Sequence, residues 1–139
     1  MSATTTTAPP KAGRPALTRR AAWSVGALFW TALAVMEGVN HGWTAGLFAL
    51  AFVIAPDLTM LVGVGAARDN APGQLQARAV PYYNTAHRAL IPLVLLVAYT
   101  FAPLTWAPIP AALCGWLAHI SYDRAFGYGL RTKEGIQRD

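Results

Sequence analysis

Four long apolar segments place the strongest constraint on how this chain folds. A helix needs about 20 apolar residues to cross the hydrocarbon core of a bilayer, and each segment is close to that length. The helices of a soluble bundle carry charged residues along one face, and these segments do not. The sequence therefore predicts an all-α, polytopic membrane protein with four transmembrane helices. The segments cover residues 21–39, 43–66, 82–102 and 109–130.

The composition supports this fold class. Of the 139 residues, only 12% are charged and 55% are hydrophobic, whereas a soluble domain is about 25% charged. Residues 1–18 are rich in Thr, Ala and Pro, and we expect a disordered tail there because such a segment has too little apolar surface to fold alone. The transmembrane domain then covers residues 19–131, and residues 132–139 form a second, short tail.

The basic residues predict an orientation in the membrane. The eleven Lys and Arg residues contribute to a net charge of +5. They precede the first segment, surround the connection between the second and third, and lie at the end of the fourth, whereas the turns at 40–42 and 103–108 have none. The positive-inside rule then puts both termini and the middle loop in the cytoplasm, and we expect the chain in the inner (plasma) membrane. The charge favours anionic lipid headgroups, so we exclude nucleic acid as a partner.

Several polar side chains lie where hydrocarbon should reject them. Asp57 belongs to the second segment, His87 to the third, and His119 and Asp123 to the fourth. An ionised side chain at the bilayer centre costs roughly 3 kcal/mol, so such groups usually face one another or water. At 1.5 Å per residue, all four lie about 7–17 Å from the cytoplasmic ends of their helices. We therefore expect them to form one buried polar site.

This polar site has the composition of a divalent metal site. Two imidazoles and two carboxylates suit Zn, Mn or Fe, and His119 and Asp123 share one helix face because they are four residues apart. The predicted ligands are Asp57, His87, His119 and Asp123. Such a metal makes water nucleophilic, and either Asp57 or Asp123 can act as the catalytic proton acceptor. At this depth, the natural substrate is a lipid or a lipid-linked phosphoester.

We expect neighbouring polar residues to support the ligands or to bind substrate. Arg88 and Arg124 can each hold a phosphate or carboxylate through two parallel hydrogen bonds. Asn84 lies three residues before His87 and shares its helix face. Tyr128, between two glycines, either contacts substrate or anchors the helix end at the membrane interface.

Two other interpretations remain open. Ion pairs such as Asp57 with Arg88 could hold the helices together in a scaffold or partner subunit that binds no ion. A transporter would need a polar path to the external face, where only Glu37 and His41 lie. Four helices are few for such a path, so a transporter would also need to assemble as a homo-oligomer.

Three strings in the sequence resemble a known family. PDLTMLVG, YYNTAHRALIP and WLAHISYDRAFGYGLR occur in this order and are similar to motifs of small bacterial membrane proteins, domain of unknown function family 4260. The resemblance covers residues 35–131 and implies an integral membrane protein. A second, weaker resemblance is to membrane-bound metal-dependent hydrolases, which show a similar order of Pro-Asp, His-Arg and His-x3-Asp motifs. It implies hydrolysis rather than redox chemistry at the metal.

Overall fold

Five α-helices form most of the chain that the structure describes. The structure is a computed structural model and describes residues 14–65 and 70–138. No β-strand occurs in these two ranges, which confirms the all-α prediction. The helices are α1 (Arg14–His41), α2 (Trp43–Leu58), α3 (Val80–Ala86), α4 (Leu90–Phe101) and α5 (Pro108–Phe126), with 3-10 turns at Thr59–Gly63 and Ala77–Ala79.

Helix α5 lies at the centre of the bundle. It packs against α1, α2 and α4, and most of its residues are buried. Small residues make this close packing feasible. A Cβ atom at Gly115 would overlap the carbonyl oxygen of Ala49 on α2, so the absence of a side chain there sets the distance between the two helices.

The outer surface of the bundle is apolar. Val25, Leu28, Leu50 and Val94 are each more than half exposed. The helical stretches Ala16–His41 and Trp43–Gly63 are long and apolar enough to cross a membrane. Only 11% and 17% of their most apolar windows are buried within the chain, whereas the core helix of a soluble protein would be mostly buried. The length, composition and exposure of these two helices therefore indicate a membrane protein.

The third apolar segment is broken into two helices, so the prediction of one continuous helix over 82–102 is wrong. Helix α3 ends at Ala86, and His87 leaves the helical conformation with φ −103° and ψ 15°. Pro92 contributes to the break because it lacks the N–H that would bond the Arg88 carbonyl. Side chains of α5 donate hydrogen bonds to two backbone carbonyls at this break. Trp116 Nε1 donates to the oxygen of Ala86 at 2.6 Å, and Arg124 Nη2 donates to that of His87 at 3.2 Å.

The second and fourth segments form shorter helices than predicted. Helix α2 continues through Pro56 and ends at Leu58, after which the chain tightens into a 3-10 turn. Helix α5 ends at Phe126 because Gly127 adopts a left-handed conformation with φ +95°. The Tyr128 N–H donates to the Asp123 carbonyl at 2.8 Å, which completes a Schellman motif and satisfies the helix end.

The first helix begins earlier than predicted. The sequence predicts that residues 14–18 belong to the disordered tail, yet α1 begins at Arg14. The remainder of that predicted tail, residues 1–13, lies outside the described residues. At its other end, α1 continues to His41, and Gly42 alone separates it from α2 with φ +87°. The left-handed φ at this position favours glycine.

The described basic residues collect at one end of the bundle, which we call the charged end. It comprises the start of α1, the end of α2, helix α3, the end of α5 and the C-terminal segment. That segment folds back on the loop before α3, since the Leu75 N–H donates to the Gly135 carbonyl at 3.0 Å. The basic residues are Arg19, Arg20, Arg78, Arg88, Arg124, Arg131, Lys133 and Arg138.

Candidate metal centre

Four polar side chains meet near the charged end. Asp57 is in the last turn of α2, His87 lies at the break after α3, and His119 and Asp123 lie one turn apart on α5. One donor atom from each residue lies within 4.8 Å of the other three. His119 and Asp123 are about 10 and 5 Å from the end of α5, closer than predicted because the helix ends earlier. We call these four residues the centre.

Five of the six distances between the donor atoms of the centre are close to those of a tetrahedral metal site. His87 Nε2 lies 3.1 Å from His119 Nε2. It also lies 3.4 Å from Asp57 Oδ1 and 3.3 Å from Asp123 Oδ2. The corresponding distances from His119 Nε2 to these two oxygens are 3.5 and 3.7 Å. Ligands about 2.0–2.2 Å from a tetrahedral ion lie about 3.3–3.6 Å from one another, so small shifts of the side chains suffice to accommodate one.

The backbone of Tyr83 fixes the orientation of His87. His87 Nδ1 lies 2.8 Å from the Tyr83 carbonyl oxygen. Because a carbonyl only accepts, Nδ1 carries the proton, and in the neutral ring Nε2 presents its lone pair to the centre. Metal-binding histidines are commonly oriented in this way. The Tyr83 ring also stacks on the imidazole, with centroids 3.8 Å apart and an interplanar angle of 18°.

The centre is closed on the histidine side and open on the aspartate side. His87 is 2% exposed and His119 8%. The side chain of Asp57, in contrast, is 47% exposed, and that of Asp123 is 23% exposed. Partial exposure keeps some hydration on the carboxylates and lowers the cost of holding two negative charges together. Within residues 14–65 and 70–138, the centre is therefore accessible from the aspartate side only.

The residues expected around the ligands lie at different distances from them. Arg124 supports the centre indirectly, through its bond to the His87 carbonyl. Asn84 holds the C-terminal segment instead: its Nδ2 donates to the Arg131 carbonyl at 2.9 Å, and its Oδ1 accepts from the Arg131 N–H at 2.7 Å. Arg88 and Tyr128 are exposed at the charged end. A role for these residues in substrate binding stays a prediction.

The remaining acidic and histidine side chains of the membrane segments lie elsewhere. Glu37 and His41 pair with each other at the opposite end of α1, with His41 Nε2 3.5 Å from Glu37 Oε2. They do not join the centre.

Sequence reasoning missed two residues that shape the centre. Tyr83 could have been found from its spacing, since it lies four residues before His87 and an imidazole can reach the carbonyl of that residue. Trp116 is the first residue of the third motif string, but the motif does not reveal its contact. Its bond to the Ala86 carbonyl depends on how α5 packs against the break.

Comparison with known proteins agrees with the motifs of the sequence. Residues 22–138 match the model of a family described as a domain of unknown function, DUF4260. No curated protein and no solved structure matches the chain. The family match includes all four residues of the centre and the C-terminal segment, and it confirms the first resemblance that the motifs indicated. This chain belongs to the DUF4260 family.

Proposed function

We propose that this protein is a multi-pass membrane metalloprotein whose centre holds one divalent ion and promotes hydrolysis of a phosphoester. The observation that carries the proposal is the close spacing of four donor atoms, all within 4.8 Å of one another, beside a half-exposed carboxylate. Structural metal sites are closed by their ligands, whereas catalytic sites keep access for water or substrate.

Charge and tautomer both support a bound cation. Two ionised aspartates and two neutral imidazoles give the centre a charge of −2, which one divalent ion offsets. Without a cation, two carboxylates so close to each other are costly to keep ionised. His87 is already held with its lone pair toward the other donors. Mixed nitrogen and oxygen ligands suit Zn, Mn or Fe.

The open side of the centre supports hydrolysis. A divalent ion in such a site supplies Lewis-acid chemistry that makes water nucleophilic at neutral pH. Asp57, the most exposed of the four, has a second carboxylate oxygen that can accept the proton of the attacking water. Water oxygen then bonds to phosphorus, the bond between phosphorus and the alcohol oxygen breaks, and the protonated Asp57 returns its proton to the leaving alcohol. Arg88 and Arg124 are the candidates for holding the phosphate.

The membrane placement completes the proposal. In addition to the two apolar helices, α5 crosses the bilayer, and α3 and α4 together make the third pass. Helix α4 alone, with 12 residues, covers only about 18 Å. The basic residues of the charged end support a cytoplasmic location for both termini and a plasma-membrane location for the chain. Centre and headgroups then lie at similar depth, which favours a lipid or lipid-linked phosphoester. Thiol labelling of Lys133→Cys only from the cytoplasmic side tests this orientation.

A structural network is the rival to a metal site. Asp57 Oδ1 and Asp123 Oδ2 each lie within 3.7 Å of the Nε2 atoms of both histidines. Protonated histidines could therefore pair with the carboxylates directly. Such pairing would lock α2, α5 and the break together in a scaffold or partner subunit. It requires no ion and no catalytic turnover.

Hydrolysis can be tested on the full chain purified in detergent and supplied with Zn, Mn or Fe. The substrates are bis(p-nitrophenyl) phosphate and phosphatidylglycerol, and the variants are Asp57→Asn and the matched control Glu37→Gln. We expect Asp57→Asn to lower the rate about 100-fold or more, because it cannot accept the proton, and Glu37→Gln to change it less than about twofold. Equal rates for the wild type and Asp57→Asn would remove Asp57 from the mechanism. No turnover by a metal-loaded wild type would remove hydrolysis of these substrates.

A further inference from the structure

A second polar site lies at the charged end, beside the centre. It is a cavity of about 520 Å³ between the start of α1, the end of α5 and the C-terminal segment. Four arginines line it: Arg19, Arg20, Arg124 and Arg138. No acidic side chain lines this cavity in the part of the chain that the structure describes. Four guanidinium groups thus share one concave surface without a carboxylate among them, and we call this surface the arginine pocket.

Two of the four guanidinium groups are held in place by backbone carbonyls. Arg20 Nε donates to the Ala125 carbonyl at 2.7 Å, and its Nη2 donates to that of Phe126 at 3.0 Å. Arg124 donates to the carbonyls of His87 and Tyr128. These acceptors are neutral, and each guanidinium has five N–H groups. Both therefore keep their positive charge and some free donors for a ligand.

Glycines at the end of α5 let the C-terminal segment and Arg20 pack closely around the pocket. A Cβ atom at Gly129 would lie 2.8 Å from the Arg138 carbonyl oxygen and 3.3 Å from Arg124 Nη1. A side chain there would therefore push the C-terminal segment away from α5. Gly127, in its left-handed conformation, lies against the Arg20 guanidinium. A Cβ atom added at Gly127 would lie 3.7 Å from Arg20 Cζ. The Gly-Tyr-Gly string thus shapes one wall of the arginine pocket.

We propose that the arginine pocket binds the phosphate group of an anionic ligand. Guanidinium groups pair with phosphate oxygens through two parallel hydrogen bonds, and no carboxylate competes for them here. Trp23 and Tyr128 line the same cavity, and such amphipathic aromatic side chains lie at headgroup level in membrane proteins. The phosphate can come from an anionic phospholipid or from a free phosphate compound. None of the four residues of the centre lines the cavity, so this inference does not depend on the metal.

Native mass spectrometry of the delipidated full chain tests the proposal. The probes are phosphatidylglycerol, the zwitterionic phosphatidylcholine, and inorganic phosphate as a ligand and competitor. The test variant is Arg19→Gln with Arg138→Gln, because both side chains are exposed. The matched control is Arg78→Gln with Lys133→Gln, which removes the same charge from the same end outside the pocket.

We expect the pocket variant to bind phosphatidylglycerol about 10-fold more weakly than the wild type, and the control to change its binding less than about threefold. Lack of competition by phosphate identifies a lipid headgroup as the source. Binding of phosphate alone, lost in the pocket variant, identifies a free phosphate ligand. Equal loss in both variants, or no preference of the wild type for phosphatidylglycerol together with no phosphate binding, overturns the proposal.

A second variant covers the case in which the pocket variant does not fold. Arg19→Lys with Arg138→Lys keeps the charge but removes the planar fork of each guanidinium. It should bind the preferred probe about threefold more weakly than the wild type. Unchanged binding by this folded variant would show that only general charge attracts the ligand, and would overturn a built pocket.

Discussion

His87 and His119 face each other through their Nε2 atoms at 3.1 Å. Two nitrogen lone pairs cannot lie at this distance without a proton or a cation between them. His87 already uses its Nδ1 proton to bond the Tyr83 carbonyl, so its neutral form offers only a lone pair at Nε2. The contact therefore requires either a proton shared with His119 or an ion held by both rings. A shared proton corresponds to the structural network, and an ion held by both rings corresponds to the metal centre.

The stacking of Tyr83 on His87 predicts an effect on metal affinity. Tyr83→Leu keeps the backbone carbonyl but removes the ring that limits rotation of the imidazole, and Tyr83→Phe keeps the ring. Loss of a group that orients a ligand typically lowers metal affinity about 10–100-fold. We therefore expect Tyr83→Leu to bind the metal at least about 10-fold more weakly than the wild type. Competition with a chelator measures the affinity. Equal affinities in the two variants would show that stacking does not position His87.

The bond from Trp116 to the break after α3 predicts an effect on stability. Trp116→Phe keeps an aromatic ring but leaves the Ala86 carbonyl without its 2.6 Å donor. We expect a loss of about 1 kcal/mol in the free energy of unfolding. Trp106→Phe is the control, since Trp106 is exposed and packs edge-to-face on Phe48; it should cost less than about 0.5 kcal/mol. Unfolding by SDS in mixed micelles measures both, and equal losses would contradict the role of the bond.

The close approach of α2 and α5 predicts different effects for Gly→Ala substitutions at Gly115 and at Gly26 on α1. At Gly115 the added methyl would overlap the Ala49 carbonyl, whereas at Gly26 the nearest atom is Ser121 Oγ at 3.7 Å. Gly115→Ala should therefore destabilise the fold by about 1–3 kcal/mol. Gly26→Ala should be neutral or stabilise by up to about 1 kcal/mol, because alanine favours a helix. The same unfolding measurement distinguishes them, and a neutral Gly115→Ala would show that the helices can separate at no cost.

The sequence predicted most of the helices because their apolar composition determines them. The segments that form α1, α2 and α5 were predicted, although the fourth segment was predicted to continue to residue 130 and α5 ends at Phe126. The break at His87 was not predicted. Pro92 could have indicated it, but the break also depends on donors from Trp116 and Arg124. These donors come from a helix that is distant in the sequence, and no local pattern reveals them.

The location of the polar residues was easier to predict than their individual contacts. Depth along the helices predicted that Asp57 and the two histidines would meet, and their donor atoms lie within 4.8 Å of one another; their role as ligands stays a prediction. Asn84 shows what depth cannot reveal. Its amide bonds the Arg131 backbone because the C-terminal segment folds back across α3, and the sequence does not specify that path.

Metal content of the purified full chain tests the central claim most directly. The wild type, a His87→Ala and His119→Ala double variant, and the control His41→Ala are purified in detergent, supplied with Zn, Mn and Fe, desalted, and measured by elemental analysis. His41 is the one histidine of the sequence outside the centre. It lies at the end of α1 opposite the charged end. We expect about one ion per chain in the wild type and in His41→Ala, and none in the double variant. Equal metal content in all three proteins, or none in the wild type, would contradict the metal centre and favour the structural network.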